Sequence, residues 1–90
     1  MRRDEWTEND RTDADELRYC YALLHRGGFP AVPRAQIAQY LKAQVETARL
    51  ENRPGDEAAF GTAERAWLEG RTELAMAALS ARMRRVNVGW

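Results

Sequence analysis

Side chains that carry chemistry are scarce in this sequence. It holds one cysteine, Cys20, one histidine, His25, and one serine, Ser80. A single cysteine cannot close an intrachain disulfide and suits a reducing cytoplasm. No Cys/His spacing is available for zinc. Cys20 and His25 are five residues apart, about 140° around a helix, so they do not converge as a catalytic or metal-binding pair. Cys20 therefore reads as a small buried apolar group, and His25 as a residue favoured near the end of a helix. Gly27-Gly28 lacks the flanking pattern of a phosphate-cradling loop, and the Asp13/Glu16 carboxylate pair is explained by helix capping. The chain is expected to be non-catalytic, with no cofactor and no metal.

Long apolar runs are absent too. None approaches the roughly 20 residues that span a bilayer, and the opening Met1-Arg2-Arg3-Asp4-Glu5 has no signal-peptide core. No membrane association and a cytoplasmic location are expected. Net charge is zero, which removes the general electrostatic pull toward nucleic acid or lipid. Lys42 is the only lysine beside thirteen arginines. With the abundant alanine, this points to a GC-rich bacterial or phage genome.

What is present is helix. Ninety residues, 44% hydrophobic and 31% charged, suffice for one domain burying about 60–65% of its unfolded surface. The expected fold is all-α, a compact bundle of three to four helices at 13–26, 33–52, 57–69 and 72–86, the last two joined as one kinked helix or broken at Gly70. Residues 1–12 read as a polar acidic arm, 13–86 as the helical domain and 87–90 as a tail. Asp13 with Glu16 resembles a capping box, and Leu17, Cys20, Tyr21 and Leu24 form an amphipathic face closed by Gly27-Gly28. Pro30 and Pro33 stiffen a connector in which Phe29 and Val32 plug the core. The second helix carries a main stripe of Ile37, Leu41, Val45 and Ala48 and a weaker one of Tyr40, Ala43, Thr47 and Leu50. The stretch 56–86 carries two more: Phe60, Ala63, Trp67, Leu74 and Ala78, then Leu68, Ala75, Leu79, Met83 and Val86. Asp56 and Thr72 are expected as N-caps, and no internal repeat is read.

More apolar stripes than a short bundle can cover predict a homodimer, with Tyr40, Thr47, Leu50, Leu79 and Met83 at the self-association face. Seven acidic against three basic residues give positions 1–16 a local charge of −4, and six basic against three acidic give 17–56 a charge of +3. The acidic arm is thus expected to meet another protein through Asp4, Glu5, Trp6, Glu8 and Asp10, with Trp90 as a second contact. The alternative is a nucleic-acid-binding regulator using Arg34, Lys42, Arg49 and Arg53 on the second helix. The preferred expectation is a small helical protein–protein interaction module, of the size of a phage- or mobile-element-encoded inhibitor or a small regulator.

Overall fold

Among the described residues four helices, α1 (Ala14–Arg26), α2 (Arg34–Leu50), α3 (Pro54–Leu68) and α4 (Thr72–Arg85), make up the fold. The structure is a computed structural model and describes residues 11–26 and 32–86. Among these residues there is no strand, and no helix is long and apolar enough to cross a membrane.

The central pair is α3 and α4. α2 lies along α3, α1 lies along α4, and α1 and α2 meet only weakly. The core between them is built from the expected stripes: Leu17, Cys20 and Leu24 of α1, Ile37 and Leu41 of α2, Phe60 and Trp67 of α3, and Leu79 and Met83 of α4. Each large side chain taken fully out of water contributes about 1.5–3 kcal/mol.

Gly70 breaks the long stretch. Its φ is +77°, a left-handed backbone that glycine adopts without strain. The Gly70 N–H bonds the Trp67 carbonyl at 3.0 Å, and the Arg71 N–H bonds that of Ala66 at 2.8 Å. This is a Schellman corner, in which two carbonyls orphaned at the helix end are satisfied by the residues that leave it. Asn52 builds the same corner at the end of α2, with φ 58° and with Asn52 and Arg53 N–H bonds to the carbonyls of Arg49 (3.2 Å) and Ala48 (2.8 Å). The corners agree at three of four positions, Leu50-Glu51-Asn52-Arg53 and Leu68-Glu69-Gly70-Arg71.

The break resets the phase of the stripes. Ala75, Leu79, Met83 and Val86 are buried, whereas Leu68 and Leu74 are 66% and 52% exposed. Two helix starts also differ from the sequence reading. Arg53 and Arg71, not Asp56 and Thr72, occupy the N-cap positions of α3 and α4, and Pro54 takes the first turn of α3, where its missing N–H costs nothing. Asp56 is released for another task.

Candidate interaction surface on α3 and α4

Asp56 is fully buried and accepts four hydrogen bonds. Thr12 Oγ1 and Arg82 Nε donate to Oδ1, each at 2.8 Å, while the Asp13 N–H and Arg53 Nη1 donate to Oδ2 at 2.9 and 2.6 Å. Both arginines are buried as well. Arg82 Nη2 continues to the Arg11 carbonyl at 3.0 Å, and Arg53 reaches Glu51 Oε1 through Nη2 at 2.9 Å. Burial alone would raise the carboxyl pKa of Asp56. The bonds from Arg82, the Asp13 N–H, Thr12 and Arg53 outweigh it and hold the group below its ordinary value. Burial would likewise lower Arg53, but Asp56 and Glu51 keep it raised. No buried side-chain nitrogen or oxygen among the described residues lacks a partner.

This cluster fixes the entry of α1, the start of α3 and the end of α4 to one point. Gly55 admits the arrangement, since a Cβ there would lie 2.4 Å from Cζ of Arg82. Arg11 and Thr12, assigned to the arm by sequence, are thereby tied to the body. The capping box is altered in the same way. Asp13 Oδ1 accepts from the Glu16 N–H at 3.1 Å, but the Asp13 N–H goes to Asp56, and the Glu16 carboxylate accepts from the Tyr40 hydroxyl. Burial and that bond raise the Tyr40 pKa. Burial does the same for the Cys20 thiol, followed by the nearby charges of Glu16 and Asp13. A thiol so held is protonated and unreactive.

A second clamp joins the opposite end of α3 to α2. The Arg34 guanidinium lies 3.8 Å from the Trp67 ring centroid, and its Nη2 donates to the Trp67 carbonyl at 2.9 Å. Trp67 Nε1 returns a bond to the Arg34 carbonyl at 2.9 Å.

With α1 and α2 drawn to one side, the other side of the α3–α4 pair is left open among the described residues. Two hollows of about 420 and 400 Å³ follow one another along its seam. They share Thr62 and Ala78, and every residue lining them belongs to α3, α4 or the Gly70 corner. The trough runs from Gly55 to Glu69, about 21 Å at 1.5 Å per residue. Its sides are mostly small, with Ala58, Thr62, Ala77 and Ala81 exposed, and Leu74 stands at one end. On the far flank of α4 lies a third hollow, of about 260 Å³, against Tyr21 and Ser80. Arg84 Nη1 donates to the Ser80 hydroxyl at 2.8 Å, and the His25 ring lies against Tyr21. No group of three or more His, Cys, Asp or Glu suited to a metal occurs among the described residues.

Two of the residues expected at a self-association face are withdrawn from the surface. Leu79 and Met83 are fully buried in the core, a correction that follows from the phase reset at Gly70. Tyr40 is half-buried with its ring edge-on to Tyr19, Thr47 is half-buried, and Leu50 is 82% exposed at the end of α2. The four basic residues of the alternative are likewise dispersed. Arg53 is buried against Asp56, Arg34 is held on Trp67, Arg49 pairs with Glu46, and Lys42 is exposed. Arg34 and Arg49 lie about 22 Å apart along the helix. Asp4, Glu5, Trp6, Glu8, Asp10 and Trp90, like Phe29, lie outside the described residues.

Sequence reasoning missed Asp56, Arg82 and the trough. The signal for the trough was available in the run of alanines at 58, 59, 77, 78 and 81, which are too small to fill a seam between helices. Comparison of the chain with family models, curated proteins and solved structures returns no match.

Proposed function

We propose that this chain is a non-catalytic helical interaction module, acting in the cytoplasm as an inhibitor or small regulator that works by occupying a surface. The α3–α4 trough is its contact face. The observation that carries this reading is the continuity of that trough, uncovered by α1 and α2 and lined mostly by small residues that allow another backbone to come close, beside Arg65, Glu69, Arg82 and Arg85. A helix laid in a groove of this length engages through apolar anchors spaced at its own period.

The test is site-specific photo-cross-linking in the native host. A photoreactive residue at Thr62 or Ala81 should yield a discrete cross-linked product, and one at Gln39 or Lys42, on the exposed part of α2, should not. Equal labelling from both sets of positions, or no product from Thr62 and Ala81, refutes the assignment of the face.

A further inference from the structure

The α3–α4 trough carries charge at both ends. Arg65 and Glu69 line its hollow near the Gly70 corner, and Arg82 and Arg85 line the hollow near Gly55. Glu69 is paired with Arg71, and Arg82 is matched by Asp56. Arg65 and Arg85 are both exposed, so the groove presents a cation at each end of a small-walled, apolar middle. Arg65 shares its hollow with Leu74, which precedes Arg85 by eleven residues on α4, so the two cations stand about 17 Å apart along the axis. The other acids of α3, Glu57 and Glu64, point about 140–160° away from Thr62 around the helix.

We infer that residues 1–10 of this chain, which lie outside the described residues, occupy this trough, with Trp6 seated in the hollow that Thr62 and Leu74 line. The inference rests on the reading of the trough as a contact face and names its occupant in the free protein. The Arg11 carbonyl accepts from Arg82 Nη2 at 3.0 Å, and Arg82 is part of the trough wall, so the segment before Arg11 starts from the rim of the groove. The hollow that Arg11 itself lines is a poor alternative. It carries Asp13, Asp15 and Glu51, with Arg53 already taken up by Asp56 and Glu51, and it repels an acidic chain.

Reach and chemistry agree. Leu74 is eight residues from Arg82, about 12 Å along α4, and Trp6 is five residues from Arg11, a distance that extended chain spans with about 17 Å. Asp4 and Glu5 precede the ring and Glu8 and Asp10 follow it. Acids thus fall on both sides of Trp6, as cations fall at both ends of the trough: Glu8 and Asp10 toward Arg85, Asp4 and Glu5 toward Arg65. A tryptophan takes about 150–250 Å² of surface out of water, and Ala66, Ala77 and Ala78 leave a hollow of about 420 Å³ to receive it. The short tether holds the ring at an effective concentration in roughly the millimolar range, so the contact needs no high affinity. Any other partner for the face must displace it.

A photoreactive residue at Thr62 in the purified full chain tests this. The product should keep the 10.3 kDa mass of one chain, with a yield that holds on dilution. Trypsin cuts after Arg3 and Arg11, and mass spectrometry should find Thr62 joined to the 4–11 peptide that carries Trp6. The same photoreactive residue at Lys42 should leave that peptide unmarked. Trp6→Ala and Arg65→Glu should each lower the yield from Thr62 by about threefold or more, and circular dichroism melts check that each variant folds. The absence of a product on the 4–11 peptide overturns the inference, as does equal marking from Lys42 or a yield indifferent to either substitution. A product of two-chain mass that fades on dilution puts a second copy in the trough and overturns it too. If no arm product forms while Thr62 cross-links to a different protein in the native host, the contact face stands and only its occupant is wrong. No product in either setting removes both.

Discussion

Replacing Asp56 by alanine leaves two buried guanidiniums, Arg53 and Arg82, facing a cavity where their carboxylate stood. It also strips partners from Thr12 and the Asp13 N–H. Breaking a buried ion pair from one side costs about 3–5 kcal/mol, because the remaining charge is neither solvated nor matched. Ninety residues at about 0.05–0.15 kcal/mol each give a total stability of roughly 5–13 kcal/mol, so Asp56→Ala should remove a large fraction of it. The melting temperature should fall by about 12 °C or more. Urea unfolding followed by Trp67 fluorescence and far-ultraviolet circular dichroism reads the loss directly. An R53M/D56L/R82M triple variant, which removes the whole set of charges, should be more stable than Asp56→Ala alone. The effect is pH-dependent, with a definite sign. The folded pKa of Asp56 lies below its unfolded value of about 3.9. Its contribution is therefore complete above that pH and is lost as pH falls through the folded value. The gap between wild type and Asp56→Ala should narrow below about pH 4. A loss under about 1 kcal/mol at pH 7, or a gap unchanged between pH 7 and pH 3, would refute the central role given to this carboxylate.

Gly55→Ala would ordinarily help a helix, but here the new Cβ strikes the Arg82 guanidinium. It should destabilise by about 1–3 kcal/mol, and in an Arg82→Met background the penalty should vanish; equal effects in both backgrounds would dissociate Gly55 from Arg82. Gly70→Ala places a side chain at φ +77° and should cost about 1–2 kcal/mol by strain alone, since nothing stands near that Cβ. Asn52→Ala should cost about as much, and Asn52→Gly little or nothing, both read from urea midpoints. A stabilising Gly70→Ala would argue for a continuous helix in solution.

The helices were legible because their signals are local. Leu17, Cys20 and Leu24 repeat at the helical period, and Gly70 carries its stop signal in its own backbone freedom. The assignment of stripes within 56–86 failed at Leu68 and Leu74, because drawing one stripe through the Gly70 corner carries the phase of one helix into the other. The Asp56 cluster was not legible for a different reason. Its partners lie 26, 43 and 44 residues away, and Arg53 and Arg82 carry local explanations, as a surface cation and a helix-end charge, that compete with burial. The trough was half legible. Of its alanines only Ala78 was placed on an apolar stripe, and the open side of a helix pair is a property of how α1 and α2 are placed, which no single segment encodes.

The reach of the Asp56 cluster has a consequence for the order in which the chain assembles. α2, α3 and α4 are linked by three-residue corners, so their mutual contacts close short loops at little entropic cost. Arg53 and Arg82 can reach Asp56 within that α2–α3–α4 part, but the bonds from Thr12 and the Asp13 N–H require residues 11–13 to be brought back across more than forty residues of chain. Contacts of such separation form late in folding. α1 is accordingly the last helix to lock and the first to release, and its release exposes Cys20, the only thiol in the protein. The rate at which that thiol becomes available to a labelling reagent under native conditions is then a clock for the opening of α1, running faster than global unfolding if the assembly order is as the distances imply.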